Sequence, residues 1–267
     1  HRDLHSFPTR RSSDLPQEWG FNLEAFVSFY LEREFFLCCM VLDKNSVVGF
    51  GNALVYSNIA WLGNIITDNR YRKKGIGTAI TEYLINSCKS RGCDSILLIA
   101  TELGIPLYSK LGFRKTEEYV FMSLPNLSIK LEHPKSIYPA NKNDYNQIME
   151  LDWLATGEIR ESFINSNILD AVVYKSKADG RIEGFYLPKT HNGLLVSKSL
   201  TAGEALLYYK HSHYQQLAVY PSGNIDALRF YSANNIKEHK RAPRMCLGGE
   251  ANWNPKMIYS RAAGYCG

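Results

Sequence analysis

The chain has 267 residues, 45% hydrophobic and 21% charged, with a formal charge of +5. That length suits one large domain or two of ordinary size, and the composition is that of a globular protein. No apolar run is long enough to cross a bilayer, and no basic stripe or RNA-binding signature points to nucleic acid. The six cysteines (38, 39, 88, 93, 246 and 266) show no C-x-x-C spacing, which argues against zinc. They read as small buried hydrophobes in a reducing, cytoplasmic compartment.

Residues 1–15, "HRDLHSFPTRRSSDL", have no helical or strand period. From His5 on they resemble a translated DNA sequencing adapter, and on that resemblance they are non-native and stand outside fold reasoning. From Pro16 strands and helices alternate. "LEAFVSFYL" has helical spacing, and "EFFLCCMVLD", "SVVGFGNALVY" and "WLGNIIT" read as strands. The glycine-containing stretch "RYRKKGIGT" follows, then a helix in "TAITEYLINSCKSRG" with Ile80, Leu84 and Cys88 on one face. "SILLIA" is a strand, "GIPLYSKLG" a short helix and "TEEYVFMSL" a last strand. Pro125 and Pro134 bound a linker.

The second half repeats the first. "DKNSVVGFG" pairs with "DGRIEGFYL", and "LYSKLGFRKTEEYVFMSL" with "FYSANNIKEHKRAPRMCL". Gly49 matches Gly184, Tyr108 matches Tyr231 and Met122 matches Met245. The second copy is shorter in the region of the glycine loop. The expected organisation is residues 1–15 non-native, 16–124 a first α/β domain, 125–135 a linker and 136–267 a degenerate second copy. "SIYPANKNDYNQIMELDWLATG" gives the second copy an opening strand and helix. The first copy has no counterpart to that strand or to most of that helix, so the edge of "FFLCCMVL" is expected to be exposed and prone to aggregate.

The loop stands between a strand and a helix starting near Ile76. Backbone N–H groups at such a helix start receive anions, and glycine removes the Cβ atoms that would hold a phosphate away. Arg72, Lys73 and Lys74 add charge. On these residues alone an ordinary strand-to-helix turn stays equally open.

The order strand, "YRKKGIGT", helix, strand, "LYSKLGF" resembles the GNAT acyltransferase superfamily. Its R/Q-x-x-G-x-G/A loop is matched by Arg72, Gly75 and Gly77, and its tyrosine before Gly-Phe by Tyr108, Gly112 and Phe113. The resemblance covers residues 19–124 well and implies two tandem mixed-sheet GNAT-like domains. It implies acetyl-CoA as donor and a small-molecule amine or peptide as acceptor. Backbone N–H groups from Lys73 to Thr78, Ile76 included, would hold the pyrophosphate. The strand at Ile65 and Ile66 would pair with the pantetheine arm. Tyr108 matches the family's general acid for the leaving thiolate; as a residue read alone it is a half-buried aromatic tying down a loop. No carboxylate lies in "AWLGNIIT"; Glu102 stands as a base or a solvated loop glutamate.

In the second copy Thr201 and Glu204 form a T-x-x-E capping box and R-x-x-G-x-G is absent, so no CoA binding is expected there. "KEHKRAPR" reads as a charged turn or strand end on a solvated face or an acceptor-side patch, and His211 and His213 as a solvated surface turn. The rival readings are a non-catalytic acyl-CoA sensing module and a nucleic-acid-associated protein.

Overall fold

The computed structural model describes residues 23–44, 46–123 and 136–264. The adapter-like segment, any opening strand of the first half and the linker 125–135 lie outside them. α1 (Leu23–Tyr30) leads into three antiparallel strands, β1 (Phe36–Asp43), β2 (Ser46–Tyr56) and β3 (Ile59–Thr67). Alternate residues of these strands serve two different cores, as a period of two requires. Phe50, Leu54 and Trp61 face one cluster; Ala53, Ala60 and Leu62 face the other. Cys38 and Cys39 divide the same way, and burial pushes their thiols up, to about 11 and about 12.

α2 (Ile76–Ser90) packs Ile80 and Leu84 on β2 and β3. β4 (Ser95–Ile99), α3 (Ile105–Lys110) and β5 (Arg114–Met122) complete the first half. The second half opens with β6 (Ile137–Pro139), α4 (Tyr145–Thr156) and α5 (Glu161–Asn167). It continues through β7 (Val172–Lys175), β8 (Ile182–Leu187), β9 (Leu194–Ser197), α6 (Leu200–His213), β10 (Val219–Pro221), α7 (Ile225–Ala233), β11 (Glu238–Gly248) and β12 (Ile258–Ser260). The order β-β-β-α-β-α-β therefore occurs from β1 to β5 and again from β7 to β11.

The halves interlock through their last strands. One sheet runs β1-β2-β3-β4-β11-β5-β10 and the other β12-β9-β8-β7-β6. β11 is hydrogen-bonded to β4 on one side and to β5 on the other, and β5 in turn pairs with β10. This corrects the reading of "KEHKRAPR" as a solvated turn or strand end. Residues 238–241 are exposed, but Ala242 and Arg244 are buried in the sheet. His211 and His213 are likewise not on a turn: both lie in the last turn of α6. His211 Nε2 is 3.0 Å from the Tyr231 hydroxyl, and His213 stacks on Tyr209. Among the described residues no group of histidine, cysteine or carboxylate side chains could hold a metal.

A buried lysine ties the second half together. Lys210 Nζ donates to the carbonyls of Asn192 (2.6 Å) and Leu217 (2.9 Å) and to Ser260 Oγ (2.6 Å). Burial pushes it down to about 7. A lysine whose folded value lies below its unfolded one releases its proton on folding, so stability rises with pH from about 7 towards the free-lysine value. Lys210→Met is expected to lower stability by about 2 kcal/mol or more, because carbonyls lose their donors. It should also flatten that pH slope; denaturant melts at pH 7 and pH 9 check both. Because β11 fills the gap between β4 and β5, residues 1–135 and 136–267 made separately are expected to aggregate. Co-expression should recover a soluble complex by gel filtration, and a soluble, monomeric first half would refute the interlocking as a folding requirement.

Candidate active site

β3 and β4 run parallel, but their pairing stops early. It covers Ile59 to Trp61 against Ser95 to Leu97, while β3 continues to Thr67. From Leu62 on, the β3 edge therefore faces a gap with its backbone groups unmatched by β4. A bulge sits in this stretch: β2 residues Phe50 and Asn52 oppose Ile66 and Gly63, so Asn64 and Ile65 together face the single residue Gly51. Asn64 has φ 50°, a left-handed conformation that asparagine tolerates, and its Nδ2 donates to Asn52 Oδ1 at 2.8 Å. The bulge turns β3 backbone out of its ladder beside the gap.

At the far end of the gap the chain crosses from Thr67 to α2. Asp68 accepts from the Arg70 backbone N–H at 2.8 Å and from the Arg70 guanidinium at 2.7 Å. Those hydrogen bonds hold its carboxyl below the usual carboxylate range. Arg70 is thus tied to the turn while remaining exposed, as Arg72, Lys73 and Lys74 also are. Lys74 also lies over the Tyr71 ring, whose hydroxyl donates to Asp43.

Gly75 is the N-cap of α2 at φ 83°, a conformation that penalises any side chain bearing a Cβ. No side chain caps this helix. The first helical backbone bond runs from Ala79 N to Gly75 O, so the N–H groups of Ile76, Gly77 and Thr78 have no acceptor among the described residues. At Gly77 a Cβ would meet nothing nearer than Thr67 Oγ1 at 3.8 Å. The space before the bare helix end is open, and it fits an anion.

β3 and β4 are parallel, so α3, which follows β4, stands at the same end of the sheet as the glycine loop. Tyr108 on α3 is 9% exposed and sits edge-on to Phe113, ring centres 5.9 Å apart. It shares an apolar cluster with Leu62, Ile80 and Leu84, against which Ile65 and Ile76 pack. Burial pushes its phenol up to about 12, so it carries its proton at neutral pH. The structure thus puts the loop, the β3 edge and α3 at one end of the sheet, with Tyr108 in the apolar cluster beneath α2. Ile66 contributes to that edge only through its backbone, since its side chain is in the opposite cluster. Glu102 is exposed on the loop before α3.

Sequence reasoning missed the bulge, whose signal was an asparagine inside an apolar strand. It also missed a buried polar group on the other face of the sheet, built from residues far apart in sequence. Trp61 Nε1 donates to Glu158 Oε1 at 2.8 Å, and Arg244 and Arg261 each lie 5.6 Å from the centre of the Trp61 ring.

Residues 4–113 match the model of the Acetyltransferase (GNAT) family. Among curated proteins, a glucosamine 6-phosphate N-acetyltransferase of Trypanosoma brucei brucei is 32% identical over 66 residues. The match spans 25% of this chain and 45% of that protein. A ribosomal protein bS18-alanine N-acetyltransferase of Escherichia coli (strain K12) is 23% identical over 145 residues, 46% of this chain and 98% of its own length. In three dimensions a proposed acetyltransferase of Pyrococcus horikoshii superimposes with a TM-score of 0.79 at 24% identity, covering 91% of this chain and 84% of that one. The long solved match carries the fold and the family match carries the motif region. Together they show that residues 4–113 are similar to GNAT-family N-acetyltransferases and that the chain has the fold of its solved neighbour.

Proposed function

We propose that the protein transfers an acetyl group from acetyl-CoA to the amine of a small molecule or peptide by direct attack. The observation that carries this reading is the gap between β3 and β4, lined by a free strand edge and closed by an uncapped helix N-terminus. The pantetheine arm carries amides, so it would pair with the free β3 edge at Ile65 and Ile66 as a short added strand. The pyrophosphate would lie on the N–H groups from Lys73 to Thr78, with Arg72, Lys73 and Lys74 adding charge.

The amine nitrogen then attacks the thioester carbonyl carbon, and the carbon–sulfur bond breaks. Tyr108 gives its phenolic proton to the departing thiolate, and the amine's surplus proton leaves to solvent. Its raised value keeps the phenol protonated at neutral pH, so a proton is in place when the thiolate departs. Glu102 is solvated and takes no part.

The second half is, in this reading, a degenerate copy, with residues 16–124 and 136–267 as the two units. The supports are the repeated element order and two equivalent close approaches. A Cβ on Gly49 would fall 2.9 Å from Ile80 of α2, and one on Gly184 2.9 Å from Leu206 of α6. The copies differ where it matters for the donor. β9 ends at Ser197 and α6 begins at Leu200, so no glycine loop intervenes. Ser199 caps α6 by accepting from the Ala202 N–H. The expected Thr201–Glu204 box does not form, because the helix starts one residue before Thr201. A helix end filled by its own serine has no place for pyrophosphate.

Calorimetric titration with acetyl-CoA tests the donor site. Gly77→Glu puts a side chain and a negative charge in the open space before α2 and is expected to weaken binding about 100-fold, with the fold intact by circular dichroism. Tyr108→Phe is expected to leave acetyl-CoA affinity within about twofold and to cut kcat by roughly 100-fold. Acetyl-CoA binding by the parent with no turnover of any amine would instead support a chain that senses acyl-CoA.

A further inference from the structure

The face of the first sheet turned away from α2 carries a buried polar group that the donor site does not use. Asn52 on β2, Trp61 on β3, Arg244 on β11 and Tyr119 on β5 span four strands of one sheet. Glu158, between α4 and α5 of the second half, meets them from the other side through Trp61. Aromatic rings bind the set together. Arg244 lies 4.2 Å from the Trp253 ring centre, and Arg261 lies 4.4 Å from that of Tyr119.

Several partners within the group are accounted for. Arg160 holds Asp152 with two hydrogen bonds of 2.7 Å, and Arg244 donates to Thr116 and to Glu250. The remainder is not. Glu158 Oε2, Tyr119 Oη, Arg244 Nε and Asn52 Nδ2 are buried with no hydrogen-bond partner among the described residues. Glu158 Oε2 has only the Arg160 Nη1 at 3.6 Å. Leaving such atoms unpaired in a packed interior is unfavourable, and four around one buried group are too many to be packing faults. They fit a polar occupant.

The unmatched atoms also have a sense. Glu158 offers a carboxylate oxygen. Arg244 Nε and the Tyr119 hydroxyl offer donors. Burial raises the Glu158 carboxyl, and the Arg160 and Arg244 guanidinium groups and the Trp61 N–H oppose that shift. Glu250 and half-buried Trp253 border Arg244 and form the solvent side of the group.

We infer that this seam is the acceptor site and that it takes a small amine that also bears a carboxylate, the ammonium on Glu158 and the carboxylate on Arg244 and Tyr119. The inference rests on the acetyltransferase reading above and deepens it: the second half supplies Glu158, so acceptor choice lies at the junction of the halves.

Glycine, β-alanine and 4-aminobutanoate present the two groups at increasing spacing, and 1,4-diaminobutane lacks the carboxylate. Release of free CoA thiol and calorimetric titration are measured for each, using the full chain. At least one amino acid is expected to bind and be acetylated, and the diamine to do neither. Tyr119→Phe removes a hydroxyl that makes no hydrogen bond in the unliganded chain, so a structural role predicts no loss. The expected result is an unchanged or higher Tm, unchanged acetyl-CoA affinity and an acceptor KM raised about tenfold. Glu158→Gln should raise that KM at least as much; if it unfolds, Tyr119→Phe decides. Equal use of the diamine, absence of amino-acid binding, or parent-like KM in Tyr119→Phe would overturn the acceptor site. A parent that fails to bind acetyl-CoA would overturn the donor reading instead.

Discussion

The structure depends on one strand being hydrogen-bonded along both edges by the other half of the chain. β11 lies between β4 and β5, and β5 lies between β11 and β10. Neither half closes its own sheet. The exchange leaves β4 fully paired towards β11 while it parts from β3 after Trp61, so the gap is framed on one side by a strand from the far end of the sequence. Because the strands are hydrogen-bonded ladders with fixed register, their divergence is a rigid feature and does not need a ligand to open it.

The two halves also show how little sequence separates an uncapped helix start from a capped one. α2 begins at a glycine in the left-handed region, with no side-chain cap. α6 begins after a serine whose hydroxyl takes the Ala202 N–H. Both helices pack on a three-stranded meander through a glycine contact. What differs is the crossing, eight residues between Thr67 and Ile76 against two between Ser197 and Leu200. The longer crossing holds the N–H groups out to solvent and surrounds them with cations; the shorter one spends its donors internally.

The opposite face carries the energetic oddity of the fold. An interior holding Glu158, Arg160, Arg244 and Arg261 is costly to desolvate, and aromatic stacking and the Asp152 pair offset only part of it. The seam is therefore a place where stability has been given up, and it lies against the strand whose edge lines the gap. The glycine loop and Tyr108 sit on the α2 face and this polar group on the other.

Much was legible in the sequence where the cause is local. Period-two apolar runs placed the strands, glycine at 75 and 77 placed the bare helix start, and the spacing of Tyr108 to Gly112 placed α3. Each follows from backbone conformation or from neighbours a few residues away. The sequence failed where the cause is distant. "KEHKRAPR" has the composition of a surface turn, yet its second part is buried because two strands more than a hundred residues earlier need a partner between them. The α6 cap went to Ser199 and not to Thr201 because the end of β9 fixes where the helix can begin. Glu158 and Trp61 are 97 positions apart, and no periodicity connects them. The sequence by itself determined which elements form and where a helix begins without a side-chain cap. The tertiary structure alone decided which strands share a sheet and which buried charges face one another, since those are settled by pairing and burial across the whole chain.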